Sequence, residues 1–178
     1  MHYFVTGATG FIGKRLVKKL LERKGSTVSF LIRQESLGKV AELREHWGVS
    51  AARAQPVVGD LTAKRLGVSA EDVKKLKGQV DHVFHLAAVY DLAADEESQM
   101  VVNVQGTRHA VELAKAIDAG HFHHVSSIAA AGLYEGVFRE DMFDEAENLE
   151  HPYFMTKHES EKIVRRECKV PWTVYRPA

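Results

Sequence analysis

The chain has 178 residues, of which 45% are hydrophobic and 27% are charged, so it fits one globular domain of ordinary size with a single core. Its 24 basic and 24 acidic residues cancel, so we expect neither a nucleic-acid partner nor an anionic membrane surface. The single cysteine, Cys168, excludes an internal disulfide framework and is typical of a reduced, cytoplasmic protein, and we expect no transmembrane segment because no apolar run approaches ~20 residues.

Short apolar runs alternate with longer amphipathic runs along the chain. Strands are predicted, in chain order, at His2 to Thr6, Thr27 to Arg33, Gln55 to Gly59, Asp81 to Leu86, Phe122 to Ser126 and Trp172 to Tyr175. Helices are predicted between them, at Phe11 to Lys24, Ser36 to Trp47, Ser69 to Lys77, Glu96 to Ala119 and His151 to Glu167. This alternation predicts an α/β fold with a doubly wound parallel sheet between two helical layers, the Rossmann fold.

The first strand passes into the first helix through a glycine turn, Gly7-Ala8-Thr9-Gly10-Phe11-Ile12-Gly13. One glycine is needed where the chain leaves the strand, another lets the backbone approach a pyrophosphate, and the last lets helix and strand pack closely. The start of the helix offers free N–H groups and a positive dipole end to phosphates. A tight turn without a ligand is disfavoured, because strand, turn and helix are in register. We therefore predict cofactor contacts from Gly7, Thr9, Gly10, Phe11, Ile12 and Gly13.

The cofactor is predicted from the end of the second strand. An acidic residue there would bind the adenosine ribose of NAD, whereas an arginine suits the 2′-phosphate of NADP, and the residue present is Arg33. NADP(H) is therefore expected. Glu35 lies nearby and could bind a ribose, which keeps NAD(H) as the alternative. After the third strand, Asp60 and Leu61 are placed to contact the adenine, and Asp60 is equally compatible with a cap or turn role.

Tyr153 and Lys157 are four residues apart on a predicted helix, so both project from one face. An ammonium close to a phenol favours the phenolate and brings the tyrosine towards acid–base work near neutral pH. Ser127 follows the fifth strand, at the carboxyl edge of the sheet where such folds bind ligands. Its hydroxyl could hold a substrate carbonyl oxygen while Tyr153 donates the proton.

With these motifs the chain resembles the extended short-chain dehydrogenase/reductase family over essentially its full length. Besides the glycine turn, the segments that carry the resemblance are Asp60-Leu61, His85-Leu86-Ala87-Ala88, Asn103-x-x-Gly106-Thr107, Ser126-Ser127, Tyr153-x-x-x-Lys157 and Arg176-Pro177-Ala178. The resemblance implies that Ser127 positions the carbonyl, that Tyr153 is the general acid/base, and that Lys157 binds the nicotinamide ribose. Ser126 is one residue out of the family register.

The resemblance implies three further statements about the site and the chain. Leu86, Ala87 and Ala88 would border the cofactor and leave space beside it. Asn103 is expected near the cofactor, where it steadies the sheet or takes part in the chemistry. In the family the Arg-Pro motif leads into further strands and a substrate-binding region, so residues 1–178 are expected to be the nucleotide-binding segment of a longer enzyme.

Gly59-Asp60-Leu61-Thr62, followed by Arg65-Leu66-Gly67-Val68-Ser69, resembles the fatty acyl-CoA and thioester reductase branch. That branch implies hydride transfer from NADPH to a small-molecule acyl thioester, giving an aldehyde or an alcohol. A ketone reductase of 3-hydroxysteroid or flavonol type and a sugar-nucleotide epimerase or dehydratase remain alternatives, although the segment after Ser127 lacks the Tyr-Gly common in epimerases. A nucleotide-sensing regulatory protein is the non-enzymatic alternative, and formation of a homo-oligomer stays open.

Three histidines, His121, His123 and His124, fall close together around the fifth strand. They alternate along a strand and have no acidic or cysteine partners nearby in sequence, so we expect no metal site there.

Overall fold

The computed structural model describes residues 1–88 and 96–178. Six parallel strands form one sheet in the order β3-β2-β1-β4-β5-β6. The strands are β1 (His2–Thr6), β2 (Thr27–Ile32), β3 (Ala54–Val58), β4 (His82–His85), β5 (His121–Val125) and β6 (Trp172–Tyr175). The doubly wound parallel sheet expected from the alternating pattern is confirmed.

Helices connect the strands and lie on both faces of the sheet. They are α1 (Phe11–Glu22), α2 (Val40–Trp47), α3 (Ala70–Leu76), α4 (Glu96–Gln99), α5 (Gly106–Ala116) and α6 (Pro152–Glu167). Ser69 caps α3 as predicted, since its hydroxyl oxygen accepts the N–H of Asp72 at 3.0 Å. None of the helices in the described ranges combines the length and the apolar character needed to cross a bilayer.

Alternating side chains of the strands feed two separate cores. On β1, Tyr3 and Val5 join a cluster with α1 and α2, whereas Phe4 joins a second cluster that includes α5 and α6. On β2, Phe30 and Leu31 divide in the same way. Because successive side chains of a strand point to opposite faces, this division gives the three-layer α/β/α arrangement.

Several predicted bounds were wrong. The helix predicted over Glu96 to Ala119 is three pieces, because a π-helical segment (Met100–Gln105) separates α4 from α5. The helix predicted from Ser36 begins instead as a 3₁₀ segment (Gln34–Lys39) that leads into α2. The second strand ends at Ile32, one residue before the predicted end at Arg33. The first helix ends at Glu22 rather than Lys24, because Arg23 is extended and Gly25 has φ +74°.

The strand order reverses between β1 and β4, which pair in parallel with Tyr3 opposite His82 and Thr6 opposite His85. At such a switch point the connections leave in opposite directions, so a crevice opens beyond the carboxyl ends of the two strands. The glycine turn after β1 and the Leu86–Ala88 segment after β4 are the walls of this crevice.

Candidate functional site

The glycine turn is shaped by two different steric demands. Gly7 has φ +72°, and a Cβ there would lie 2.8 Å from the backbone nitrogen of Ala87, across the crevice. A Cβ on Gly13 would overlap the carbonyl oxygen of Gly7 and lie 2.8 Å from the Cα of Ala8. The turn is closed by a hydrogen bond of 3.0 Å from the Gly10 N–H to the Gly7 carbonyl. Backbone therefore forms the inner surface of the crevice, as a bound pyrophosphate requires.

Helix α1 begins immediately after this turn. Gly10 occupies its N-cap and has no side chain with which to cap the first N–H groups. The next two side chains turn away to solvent, since Phe11 is 74% exposed and Ile12 is 52% exposed. The helix start is thus open to an anion both sterically and through its dipole.

A cavity of about 390 Å³ extends from the glycine turn across the ends of β2 and β3. It is lined by the predicted residues Gly7, Thr9, Arg33, Asp60, Leu61 and Ala87, and also by Leu31, Ile32, Ser36, Lys39, Gly59, Thr62 and Val102. Ser36 and Lys39 were missed by the sequence reasoning. Their spacing of three residues in a helical stretch puts both on one side and was the available signal.

Charge at this cavity is concentrated at one end. The guanidinium of Arg33 lies 3.1 Å from the carboxylate of Glu35, and both side chains are mostly exposed. The ion pair is therefore weak and open to exchange with a phosphate. Asp60 has the turn role as well as a lining position: its carboxylate accepts the N–H and the hydroxyl of Thr62, each at 2.7 Å, and the hydroxyl bond is the main cause of its lowered pKa.

Beneath the crevice a chain of buried hydrogen bonds links β1, β4 and the π-helical segment. The hydroxyl oxygen of Thr6 accepts the N–H groups of Leu86 and Ala87, both at 3.2 Å, so its proton is free for Nδ1 of His85 at 2.8 Å. Nε2 of His85 then donates to Thr107 at 3.1 Å. Burial lowers the pKa of His85 to about 3, so the ring stays neutral with its proton on Nε2.

The chain of hydrogen bonds ends at Asn103. The Thr107 hydroxyl donates to the Asn103 carbonyl at 2.6 Å, and the Asn103 side-chain amide donates to the hydroxyl of Thr156 on α6 at 3.3 Å. Asn103 therefore connects the helix of the Tyr153–Lys157 pair to the strand ends at the crevice. This is the steadying role; the predicted contact with the cofactor stays a prediction.

The two serines after β5 have different surroundings. Ser126 is buried, and its hydroxyl donates to Glu161 at 2.9 Å. Ser127 is half-buried, and its hydroxyl oxygen accepts the N–H of Ala129 at 3.1 Å, which caps a 3₁₀ turn at Ile128–Ala131. The proton of the Ser127 hydroxyl is thus available to a ligand, whereas that of Ser126 is committed to the carboxylate.

Tyr153 and Lys157 lie one turn apart in the first half of α6, which begins at Pro152 with the ring of His151 accepting the Tyr153 N–H. Tyr153 is half-buried, while Lys157 is only 4% exposed. The Lys157 ammonium donates to the carbonyl of Val125 at 3.2 Å. Burial lowers the pKa of Lys157 from its ordinary 10.5 to about 8, against the opposing effect of Glu161. An ammonium so poorly solvated is suited to acting on a nearby phenol or ribose.

A second cavity, of about 660 Å³, lies beyond the ends of β5 and β6. It is lined by Ile12, Val125, Ile128, Phe138, Arg139, Glu140, Arg165, Val174, Tyr175, Arg176 and Pro177. Apolar side chains at the start of α1 and after Ser127 form much of its wall. The two cavities lie on either side of the glycine turn, since Gly7 borders the first and Ile12 borders the second.

The three histidines of the fifth strand divide between the two faces of the sheet. His121 and His123 are half-buried on one face, where the His123 ring is 3.0 Å from that of His82, and His124 is buried on the other. Within residues 1–88 and 96–178 no group of three or more His, Cys, Asp or Glu side chains is arranged to hold a metal ion. Cys168 is half-buried, and burial raises its pKa.

The sheet order and the glycine turn define an NAD(P)-binding domain of the extended short-chain dehydrogenase/reductase class. Residues 5–178 match the family model described as Male sterility protein, and the chain belongs to that family. Among curated relatives, a linear gramicidin synthase of Brevibacillus parabrevis is 33% identical over 97% of this chain and 4% of its own length. Fatty acyl-CoA reductase 1 of Xenopus laevis is 34% identical over 71% of this chain and 28% of its own length.

Two solved structures show the same fold. The terminal R domain from the myxalamid PKS-NRPS biosynthetic pathway has a TM-score of 0.85 and 28% identity, over 99% of this chain and 48% of the R domain. UDP-glucuronic acid 4-epimerase from Bacillus cereus in complex with NAD has a TM-score of 0.75 and 26% identity, over 99% and 56%. The chain thus spans only part of each of these proteins. That residues 1–178 are a segment of a longer enzyme stays a prediction.

Proposed function

We propose that this chain is the cofactor-binding part of an NADP(H)-dependent reductase that acts on an acyl thioester. The observation that carries the proposal is the buried Lys157 ammonium on α6, one turn from Tyr153 and bonded to the strand end that presents Ser127. These three side chains meet at the carboxyl edge of the sheet, beside the open start of α1. A carbonyl oxygen can be polarised and protonated there.

The residues around the crevice fit a dinucleotide. Glycine backbone and the start of α1 suit the pyrophosphate, and the cavity of about 390 Å³ suits the adenosine, with Asp60 and Leu61 at its wall. Arg33, with Lys39 beside it, suits a 2′-phosphate. Bound NADPH would supply a hydride to the carbonyl carbon, and everything else in the reaction falls to the side chains.

Those side chains divide the work. The Ser127 hydroxyl donates a hydrogen bond to the carbonyl oxygen and orients it. The Tyr153 hydroxyl donates the proton that the oxygen needs as hydride arrives. The Lys157 ammonium binds the nicotinamide ribose and, by its positive charge, eases loss of the Tyr153 proton. With its pKa near 8, Lys157 is mostly charged at neutral pH.

The thioester assignment is supported by the second cavity and by the relatives. Ile12, Ile128 and Phe138 give that cavity apolar walls next to Ser127, which suits a hydrocarbon chain better than a sugar. A fatty acyl-CoA reductase and an R domain of a peptide-synthetase pathway are among the similar proteins. The acyl chain would lie in this cavity with its carbonyl towards the nicotinamide.

The test is turnover by the full-length protein with a long-chain acyl-CoA, followed by the loss of NADPH absorbance. Tyr153→Phe removes the proton donor and should lower kcat by about 100-fold or more while NADPH still binds. Tyr3→Phe is the matched control, because Tyr3 lies at the opposite end of the sheet, at the start of β1, and its hydroxyl contacts Met1 and Arg23. Normal turnover by Tyr153→Phe would show that another group is the acid.

Cofactor choice is tested at Arg33. Arg33→Ala should weaken NADPH binding by roughly tenfold to 100-fold, the worth of a charge-assisted hydrogen bond, and leave NADH binding nearly unchanged. Arg166→Ala, an exposed arginine in the last turn of α6, is the control for loss of one positive charge. Titration of nicotinamide fluorescence measures both affinities. An equal loss for the two cofactors, or tighter binding of NADH by the unchanged protein, contradicts the 2′-phosphate assignment.

An NAD-dependent sugar-nucleotide epimerase is the second candidate, favoured by the fold shared with the epimerase of Bacillus cereus. An epimerase returns the hydride to its substrate, so it consumes no dinucleotide. Conversion of a UDP-sugar without net loss of NADH or NADPH, together with no turnover of acyl-CoA, would establish this candidate over the thioester reductase.

A further inference from the structure

Glu161 is a fully buried carboxylate on α6, with no exposed surface. Its Oε1 accepts hydrogen bonds from Arg165 at 2.8 Å and from Nη2 of Arg176 at 2.7 Å. Its Oε2 accepts from the Ser126 hydroxyl at 2.9 Å and from Nε of Arg176 at 3.0 Å. Four donors therefore surround the two oxygens, with Arg176 in the two-pronged geometry that fits a carboxylate.

A carboxylate in such a place is costly unless it is fully compensated. Burial alone would raise its pKa, but the hydrogen bonds from Arg176, Arg165 and Ser126 outweigh burial and lower it. Glu161 is therefore ionised at neutral pH and contributes a fixed negative charge. The two arginines could have been satisfied at a less buried position, so the location of the charge calls for a reason.

The location coincides with the catalytic strand end. Lys157 and Glu161 are four residues apart and lie on the same face of α6. The Lys157 ammonium donates to the carbonyl of Val125, and Glu161 accepts from the hydroxyl of Ser126, the next residue. Two successive turns of one helix thus grip two successive residues of the chain, and the residue that follows is Ser127.

Arg176 extends the same contact to the wall of the second cavity. It follows β6, and besides its two bonds to Glu161 it donates to the carbonyl of Met142 at 2.8 Å and to that of Arg139 at 3.3 Å. The segment that carries Arg139 lines the second cavity. The carboxylate therefore joins α6, the end of β5, the end of β6 and the substrate-side loop.

We propose that Glu161 is a positioning residue for the reduction: its carboxylate fixes Ser126 and hence the Ser127 hydroxyl, and its negative charge holds the buried Lys157 ammonium in the charged form. This inference rests on the proposed function for its effect on turnover. Its effect on Lys157 does not depend on which substrate the enzyme takes.

The other titratable groups that face Lys157 do not substitute for Glu161. His85 at the end of β4 and His124 on β5 are fully buried, and burial holds the pKa of each far below neutrality. Both rings are therefore uncharged throughout the neutral and alkaline range. Tyr153 lies one turn earlier on α6 and is part of the same catalytic unit. Glu161 is thus the negative charge that acts on the ammonium, while Arg165 and Arg176 act on Glu161.

The decisive variant is Glu161→Gln in the full-length protein, with kcat measured across pH. Glu161 raises the pKa of Lys157, so its loss should lower that pKa below about 8 and move the alkaline limb of the profile to lower pH, by roughly half a unit or more. Glu161→Asp keeps the charge but draws it back from Ser126, so kcat should fall while the limb stays in place. An unmoved limb in Glu161→Gln would overturn the electrostatic half of the proposal.

Ser126→Ala tests the positional half and removes one hydrogen bond without changing any charge. It should lower kcat several-fold with an unchanged alkaline limb, since Ser127 is then less well held. Full kcat in this variant would overturn the positional role, and this mild change keeps the proposal open to refutation if Glu161→Gln fails to fold.

A readout without turnover separates this inference from the proposed function. The Lys157 ammonium can be titrated by NMR of ¹³C-labelled lysine in the unchanged full-length protein and in Glu161→Gln. A lower Lys157 pKa in the variant supports the electrostatic role even if no acyl thioester is reduced. Identical titration curves overturn it, whatever the substrate proves to be.

Discussion

Two glycines of the cofactor turn are required for different reasons. Gly7 needs its positive φ, whereas Gly13 has an ordinary helical backbone and lacks room for a Cβ. Gly13→Ala should therefore push the start of α1 away from Gly7 and weaken NADPH binding at least tenfold, because backbone rather than a flexible side chain must move. Nicotinamide fluorescence gives the affinity.

Gly38→Ala is the matched control for that change. Gly38 lies in the 3₁₀ segment before α2, has no positive φ, and a Cβ there would meet nothing within 4 Å. Its affinity for NADPH should be close to that of the unchanged protein. Equal affinity in Gly13→Ala and Gly38→Ala would mean that the close approach at Gly13 is not what shapes the phosphate site.

At the residue scale, the sequence predicts side chains whose role follows from spacing and fails for those whose role follows from three-dimensional contact. The glycine turn, Arg33 and the Tyr153–Lys157 pair stand at fixed offsets from strand and helix ends. Glu161 gives no such signal, since an acidic residue on a charged helix is usually solvated and only packing shows it to be buried. The 2′-phosphate, Ser127 and Tyr153 assignments stay predictions until they are tested.

At the scale of elements, strand and helix types follow from hydrophobic period, but irregular segments do not. The π-helical turn closes through the Gly106 N–H and the Val101 carbonyl, five residues apart. That widening leaves the apolar pattern nearly unchanged, and it is coupled to the bond that Thr107 makes to Asn103, a contact specified by His85 and hence by the sheet. A tertiary hydrogen bond thus decides a local helix form, which explains why the sequence predicted one unbroken helix.

A left-handed turn beside the adenine end of the first cavity is strained. Arg65 has φ 51° and Leu66 has φ 60°, and the Leu66 carbonyl accepts the Asp60 N–H at 2.8 Å. Leu66 is fully buried and cannot be changed cheaply, but Arg65 is exposed. Arg65→Asn should stabilise the protein by up to about 1 kcal/mol, because asparagine tolerates this conformation better.

Thermal unfolding measures the gain, which corresponds to a Tm rise of roughly 2 to 4 °C for a domain of this size. Lys64→Asn is the control, since Lys64 is the exposed neighbour without a positive φ. If Arg65→Asn unfolds at a lower temperature than Lys64→Asn, the left-handed turn is not a source of strain.

At the scale of the whole molecule, buried neutral histidines make stability depend on pH. His85 has a folded pKa of about 3 against an ordinary value of 6.5, and burial also lowers the pKa of His124 well below 6.5. As pH falls through 6.5, the unfolded chain takes up protons that the folded chain cannot, so stability is present above that pH and is lost below it. For His85 alone, the loss between about pH 7.5 and about pH 4.5 is roughly 2 to 3 kcal/mol.

His124→Phe distinguishes this effect from general acid denaturation. His124 is stacked on His85, its Nε2 is 3.5 Å from the Ser160 hydroxyl, and its Nδ1 has no hydrogen-bond partner among the residues that the structure describes. A phenylalanine there costs little at neutral pH and takes up no proton when unfolded, so the loss of urea stability between about pH 7.5 and about pH 4.5 should be smaller than in the unchanged protein. The carboxylates with lowered pKa, Asp60 and Glu161, act only at lower pH, below their ordinary values. An identical loss in both proteins would therefore mean that His124 is already protonated, or solvated, in the folded state.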